Sequence, residues 1–275
     1  MMPKRQILLL AEAFSNAGNG FLTSIIILSM ADQAIFAEFT ILGTAVLAAK
    51  IMYQYLIVNQ FNLTKFELLI DSEKSIYRFM IYTIICILFI LIIESLIIFF
   101  TLSKFHTSLS LFILFEIMYL YLRAITLKKL SYIYLLISSC AKTIVTILLF
   151  INLIDHNSSL EEIFTCLAIS CFLSILILIK DFKYMRNIIS ISIIKKDFLD
   201  TGKYQLPTGA ISWVKTSVPY FIINLVLGED KLIVYRTLQI VYAPLALAFS
   251  IFESYLPQKL AMMKCMKDGK GLLLS

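Results

Sequence analysis

The sequence predicts an all-α transmembrane protein, a polytopic bundle of about eight membrane-spanning helices. Apolar residues (Ala, Val, Ile, Leu, Met, Phe, Trp, Tyr and Cys) make up 60% of the 275-residue chain, and charged residues only 15%. Soluble proteins carry about 25% charged residues. The apolar residues also fall in runs of about 20, the length that crosses a bilayer core as a helix. These observations exclude a disordered chain, a disulfide-stabilised scaffold and an ordinary soluble enzyme.

Eight apolar runs are bounded by polar clusters, and each is predicted to be one span. Span one is predicted to be retained rather than cleaved as a signal peptide, because it is about 25 residues long and lacks a small-residue cleavage site. The spans run Gln6–Met30, Ala34–Val58, Tyr77–Phe100, Leu109–Thr126, Leu130–Ile154, Leu160–Ile179, Leu206–Leu227 and Leu232–Leu256.

The longest connection divides the predicted spans into two groups. Residues 1–180 form a first lobe of six spans, 181–205 a linker, 206–258 two further spans and 259–275 a basic tail. Within the linker, Asn187–Leu199 is apolar but too short to span. We expect an amphipathic helix on the membrane surface, with Lys195 and Lys196 facing anionic headgroups, or alternatively an unstructured basic loop.

The distribution of basic residues predicts the orientation. Counting the connections and termini, Arg123 included, 18 Lys and Arg lie on one side, and only Lys104 and Lys231 lie on the other. Because cytoplasmic loops carry the excess of positive charge, both termini are predicted to be cytoplasmic. The same distribution accounts for the net charge of +6 without a nucleic-acid partner.

Seven of the charged residues inside predicted spans are singled out as candidates, because a charge costs roughly 2.5 to 3.5 kcal/mol at mid-bilayer. Such groups should face the bundle interior or a wet cavity, and they mark a pathway for a polar solute. We expect a cavity role for the deep lysines, and either a cavity role or snorkelling for Arg236. The carboxylates are candidates for ion coupling or for pairing with lysines. The seven are Glu12, Lys50, Glu94, Glu116, Lys142, Lys215 and Arg236.

Span one contains the polar stretch SNAGNG at Ser15–Gly20. The amides of Asn16 and Asn19 need partners at this depth, and the glycines weaken the helix. Two interpretations stay open, a cavity-lining hinge and close helix packing by small residues.

The sequence carries no sign of enzyme chemistry. It has no GxSxG, HExxH, P-loop or GxGxxG motif, and its five cysteines include no CxxC pair. His106 and His156 have no partner at metal-ligand spacing, so neither a metal site nor a cofactor is expected. The best acidic group for a membrane-embedded transferase comprises Asp155, His156, Glu161 and Glu162, which are better explained as solvated loop residues.

The segment Gly202–Pro257 carries a family resemblance. Its features are Pro219, Gly228, Tyr235, Arg236, Gln239, Pro244, Glu253 and Pro257. This pattern resembles the start of the second half of polysaccharide-unit flippases, the O-antigen (Wzx-type) translocases of the multidrug/oligosaccharidyl-lipid/polysaccharide exporter superfamily. Spans one to six are similar only in topology and in the Asn-bearing first span.

The resemblance implies a two-lobe exporter fold that works by alternating access in the bacterial cytoplasmic (inner) membrane, with spans one, two, seven and eight lining a cavity. Lys50, Lys215 and Arg236 fall on those spans, where they would meet the diphosphate of an undecaprenyl-diphosphate-linked oligosaccharide, whereas Lys142 lies outside them. Membrane lipids, a polysaccharide polymerase and glycosyltransferases are the implied partners. Because family members have about twelve spans, the chain is expected to be C-terminally truncated or to assemble with a partner.

Two other functions remain open at this point. A multidrug or cation exporter of the same fold would use an acidic lumen, to which Glu12, Glu94 and Glu116 are suited. A non-transporting membrane scaffold for glycan assembly would need neither the cations nor the carboxylates.

Overall fold

The computed structural model describes residues 4–55, 107–128, 131–155, 158–179 and 203–245, which are helical apart from short turns. The all-α class is therefore confirmed for these residues. The helices are α1 at Lys4–Met30, α2 at Gln33–Tyr53, α3 at Thr107–Lys128, α4 at Tyr132–Leu153, α5 at Leu160–Ile179, α6 at Lys203–Leu227 and α7 at residues 229–245.

Five of these helices, α2 to α6, are long and apolar enough to cross a bilayer. They correspond to the predicted spans two, four, five, six and seven. The predicted span Tyr77–Phe100, the linker helix Asn187–Leu199, the tail at 259–275 and the end of span eight lie outside the described residues.

Helix α4 buries several polar residues and exposes many apolar ones. On α4 the buried face carries Ser138, Ser139, Lys142 and Thr146. Its exposed large side chains include Ile133, Ile137, Ile144, Leu148 and Ile151, and α5 likewise buries Ser170 and Ser174. A surface helix of a soluble protein has the reverse pattern. The arrangement is that of helices whose outer solvent is lipid.

Two expectations about helix ends are corrected. Glu161 and Glu162 belong to the first turn of α5 rather than to a loop. The backbone amide of Ser159 donates to Glu162 Oε2 at 2.8 Å, and the amide of Glu162 donates to Ser159 Oγ at 3.4 Å. This reciprocal capping satisfies two amides at the start of α5, so Glu162 has a structural role. The predicted linker also ends earlier than residue 205, because α6 begins at Lys203.

Helix α1 is continuous from Lys4 to Met30, so the Ser15–Gly20 stretch does not interrupt it. Gly228 separates α6 from α7. It has a φ of 83°, a conformation that glycine adopts without strain, and its amide donates to Asn224 O at 3.2 Å.

The helices pack so that α4 lies between α1 and α5, α3 lies against α5, and α2 packs mainly on α6. The largest fully buried side chains include Tyr53, Tyr119, Phe36, Phe150 and Phe164. A smaller apolar cluster of Ala37, Ile41, Tyr220 and Leu232 joins α2 to α6 and α7. Between these packed regions lies the cavity described next.

Candidate functional site

A cavity of about 340 Å³ lies among the seven described helices, and we call it the central cavity. One face of α1 and one face of α2 line this cavity. The spacing of their lining residues, every three or four positions, corresponds to one face of a helix. On α1 these are Asn16, Asn19, Gly20, Thr23 and Ser24; on α2 they include Thr40, Gly43, Thr44, Leu47 and Lys50.

One buried carboxylate, Glu116 of α3, organises the charges at this cavity. Its Oε1 accepts from Lys50 Nζ at 2.7 Å, and its Oε2 accepts from Lys142 Nζ at 2.5 Å. The thiol of Cys171 on α5 lies 2.9 Å from the same Oε2. Three helices thus place a side chain on the carboxyl group of a fourth, and Glu116 is the lysine partner that the sequence analysis left open.

The two lysines that share Glu116 differ in exposure. The side chain of Lys142 is 5% exposed, whereas that of Lys50 is 38% exposed and faces the central cavity. Lys142 Nζ also lies 4.5 Å from the ring centroid of Tyr119. An ammonium at this distance is attracted by the ring face. Lys142 is therefore held from two directions, while Lys50 keeps donors that can reach a ligand.

A second buried carboxylate, Glu12 of α1, forms a separate pair with Arg123. The guanidinium donates to both Glu12 oxygens, at 2.7 and 2.8 Å, and Ser139 Oγ donates to Oε1 at 3.1 Å. This bidentate geometry matches one cation to one carboxylate. Neither residue lines the central cavity. Arg123, counted above as a charge of a loop, is thus a residue of α3 with a buried partner.

Arg236 of α7 lies at the other end of the central cavity. Its partners in the structure are all uncharged: Nη1 donates to Tyr220 Oη at 3.0 Å and to Gln239 Oε1 at 3.2 Å, and Nη2 donates to Ser24 Oγ at 3.3 Å. Of the two roles left open for Arg236, the inward one is therefore the one observed. Its positive charge is not matched by a carboxylate among the described residues.

The cationic groups occupy two levels along α1. Thr143, next to Lys142, donates to Ser15 O at 3.3 Å, so the Lys142 level coincides with Ser15. Arg236 contacts Ser24, nine residues further along. At 1.5 Å per residue the two levels are about 13 Å apart. The described lining residues include three cations and one carboxylate, so the cavity carries an excess of two positive charges.

A second, mostly apolar cavity adjoins the first between α1 and α7. It measures about 450 Å³ and shares Gly20, Ser24 and Arg236 with the central cavity. Its other lining residues are Phe14, Gly18, Phe21, Leu22, Gln239, Ile240, Ala243 and Pro244. One ligand can therefore place a charged group at Arg236 and an attached apolar group beside α1.

The glycines of these helices keep the central cavity open. A Cβ atom built on Gly20 or on Gly43 meets no other atom within 4 Å. Gly20 therefore does not pack closely against another helix, as one of the two interpretations of Ser15–Gly20 proposed.

The structure brings six of the nine predicted site residues together. Lys215 is an exception: its side chain is exposed and it does not line the central cavity. Trp213 and Ser217 face inward on α6, and Lys215 lies about 200° of helix rotation from each of them. Glu12 lies outside the cavity, and Glu94 lies outside the described residues. The six are Asn16, Asn19, Lys50, Glu116, Lys142 and Arg236.

Two expectations about the lining are revised by these positions. The resemblance implied a cavity lined by spans one, two, seven and eight only, but Glu116 and Lys142 also bring α3 and α4 to it. Sequence reasoning also missed Thr23 and Tyr220. Thr23 lies one turn beyond Asn19 on the same face, a spacing that could have identified it. Tyr220 carried no comparable signal.

Comparison with protein-family models, with curated proteins and with solved structures gives no match to this chain. The resemblance of Gly202–Pro257 to polysaccharide-unit flippases therefore stays a prediction from the sequence.

Proposed function

We propose that the central cavity binds the diphosphate group of an undecaprenyl-diphosphate-linked oligosaccharide, and that the chain takes part in moving this lipid across the cytoplasmic membrane by alternating access. The observation that carries the proposal is the charge of the cavity. The cavity is lined by three cations, Lys50, Lys142 and Arg236, and by a single carboxylate, Glu116. It lies inside a bundle whose outer surface is apolar. Unmatched cations at this depth are costly, and an anionic ligand offsets that cost.

Lys50 is the group best placed to bind the phosphates. It is the most exposed of the three charged groups in the Glu116 cluster, and one of its three N–H donors is occupied by Glu116. When Lys50 turns toward a phosphate, Lys142 stays on Glu116 and keeps that carboxylate paired. Binding of the anion therefore leaves no buried charge unmatched, which is the condition for a low energetic cost.

The apolar cavity beside α1 supports an amphipathic ligand rather than a small soluble anion. Arg236 borders both cavities, so a phosphate near it can carry an apolar chain that extends along Phe14 and Phe21. Buried apolar surface of this kind contributes to binding in proportion to its area.

The contacts favour this function over export of cationic drugs. A cation exporter needs free carboxylates in its lumen, but Glu12 is bound to Arg123 and Glu116 is bound to two lysines. The remaining excess of positive charge repels a cationic ligand.

The experiment is a measurement of the lipid-linked oligosaccharide pool in cells that lack the locus. We expect the pool to rise on deletion and to fall again when the chain is expressed. The variant Lys50→Gln should fail to lower the pool at equal membrane abundance. The matched control is Lys215→Gln, which removes the same charge from a residue outside the cavity. A pool that does not change on deletion would contradict the proposal.

A further inference from the structure

We propose that Asn19 and Thr23 of α1 form a neutral subsite that binds the hydroxyl or amide groups of a sugar, at a position between the two cationic ends of the central cavity. This inference rests on the proposed function, since it assigns the part of the cavity that reads the oligosaccharide rather than the diphosphate.

The first observation is that both side chains are buried, line the cavity and lack a hydrogen-bond partner. Asn19 is 7% exposed and Thr23 is 5% exposed. Asn19 Oδ1 and Thr23 Oγ1 make no hydrogen bond in the structure. Buried polar atoms are nearly always paired, so each unpaired atom requires an explanation. Both residues line the cavity, so a ligand that the two side chains turn to meet is such an explanation here.

The hydroxyls of neighbouring lining residues behave differently. Thr40 Oγ1 donates to Phe36 O at 2.9 Å, Thr44 Oγ1 donates to Ile41 O at 2.6 Å, and Ser24 Oγ donates to Gly20 O at 3.0 Å. Each of these hydroxyls is satisfied by the carbonyl of the preceding helical turn. The unpaired state is therefore specific to Asn19 and Thr23 among these lining residues.

The chemistry of the two groups selects the ligand. A hydroxyl and an amide both donate and accept, whereas a phosphate oxygen only accepts and cannot satisfy an amide carbonyl. A cationic donor is disfavoured by Lys50, Lys142 and Arg236, which carry the excess charge of the same cavity. Neutral O–H and N–H groups remain, and these are the polar groups of sugars and acetamido sugars.

The position of the pair fits a sugar next to a diphosphate. Asn19 and Thr23 lie between Ser15, at the level of Lys142, and Ser24, which contacts Arg236. Phe39, Phe112 and Phe164 line the same cavity, and their rings pack with centroids 5.6 and 6.1 Å apart. A cavity that combines an aromatic wall with a few polar groups is typical of small-molecule sites. The apolar C–H faces of a sugar ring suit this aromatic wall.

The test compares three lipids on the full chain in lipid nanodiscs: undecaprenyl diphosphate, and the same lipid carrying one hexose or one N-acetylhexosamine. We expect at least one glycolipid to bind about 3- to 10-fold tighter than undecaprenyl diphosphate, the gain of one or two neutral hydrogen bonds. Thr23→Val and Asn19→Leu should abolish that gain, so that each variant binds the glycolipids no more tightly than it binds undecaprenyl diphosphate. Thr146→Val is the matched control, because that hydroxyl is buried outside the cavity and donates to Lys142 O.

Thermal stability separates a ligand-binding role from a structural one. Removing an unpaired buried hydroxyl should leave the melting temperature of Thr23→Val unchanged or higher, whereas a hydroxyl that holds the fold would lower it. The inference is overturned if neither glycolipid binds more tightly than undecaprenyl diphosphate, or if Thr23→Val keeps the gain. Failure of the proposed function is a different result, in which none of the three lipids binds.

Discussion

Two buried glutamates, Glu12 of α1 and Glu116 of α3, have opposite surroundings. Glu12 is matched by one guanidinium, in a bidentate pair that lies outside the central cavity. Glu116 is shared by two lysines and lines the cavity. Both carboxylates were equal candidates in the sequence. The difference teaches that a buried charge indicates function when the cations and carboxylates around it are unequal in number. It indicates a structural role when it is paired with one opposite charge.

The two clusters are nonetheless connected. Ser139 donates to Glu12 and lies 2.9 Å from Tyr119 Oη, and the ring of Tyr119 faces Lys142. A continuous polar path therefore leads from the balanced pair to the unbalanced cluster. Separate variants of each cluster are needed to assign their roles.

The largest effect is expected for the balanced pair. Arg123→Gln leaves Glu12 buried without its cation, which should lower the free energy of unfolding by about 3 to 5 kcal/mol. The double variant Glu12→Gln/Arg123→Gln should recover most of that loss, because two neutral amides can bind each other. Thermal unfolding in detergent measures both. If the single variant is as stable as the original chain, the pair has no structural role.

A somewhat smaller effect is expected for the unbalanced cluster, and it should respond to an anion. Glu116→Gln leaves Lys50 and Lys142 without a carboxylate and should cost about 3 kcal/mol. Inorganic pyrophosphate at 100 times its dissociation constant should return about 2.7 kcal/mol by binding the folded state alone. The melting temperature with and without pyrophosphate reports this.

The same anion provides the control for that prediction. At one fixed concentration of pyrophosphate, Arg123→Gln should gain no more than the unaltered chain does and less than Glu116→Gln, because its defect lies outside the cavity and leaves its affinity for the anion unchanged. Equal rescue of both variants would remove the distinction between the two clusters.

A third change tests the cavity without altering any charge. Gly43 faces open space in the central cavity, so Gly43→Ala and Gly43→Leu should both fold, and each gains up to about 1 kcal/mol of helix propensity. The affinity for undecaprenyl diphosphate should fall with side-chain size, little for Ala and about 10-fold for Leu, if about 1.4 kcal/mol of contact is lost. Equal affinities in all three proteins would place the ligand elsewhere.

The sequence predicted the described helices well, but not which side chains pair with one another. The predicted span Leu160–Ile179 coincides with α5, because a run of apolar residues between polar ends defines a span locally. The depth of Lys142 followed from the same counting. Its pairing with Glu116 and the distant Lys50 depends on how separate helices pack, and no local pattern contains that information.

Two residues show which physical information was missing. Lys215 lies in the predicted span that matches α6, but on a helix that is apolar on several faces the sequence does not reveal which face turns inward. Arg123 lies near the predicted end of span four, where a cation ordinarily reaches the headgroups. Its partner Glu12 is 111 residues away in the chain, so its inward position could be recognised only in three dimensions.

The most direct test of the central claim is the binding of undecaprenyl diphosphate to the purified chain in lipid nanodiscs, compared with Lys50→Gln and Lys215→Gln. The account predicts that Lys50→Gln binds about 10- to 100-fold more weakly, the loss of one charge-assisted hydrogen bond to phosphate. Lys215→Gln should bind within about twofold of the unaltered chain, since Lys215 does not line the central cavity. Equal losses in the two variants, or no binding by the unaltered chain, would contradict a cationic cavity that binds the diphosphate.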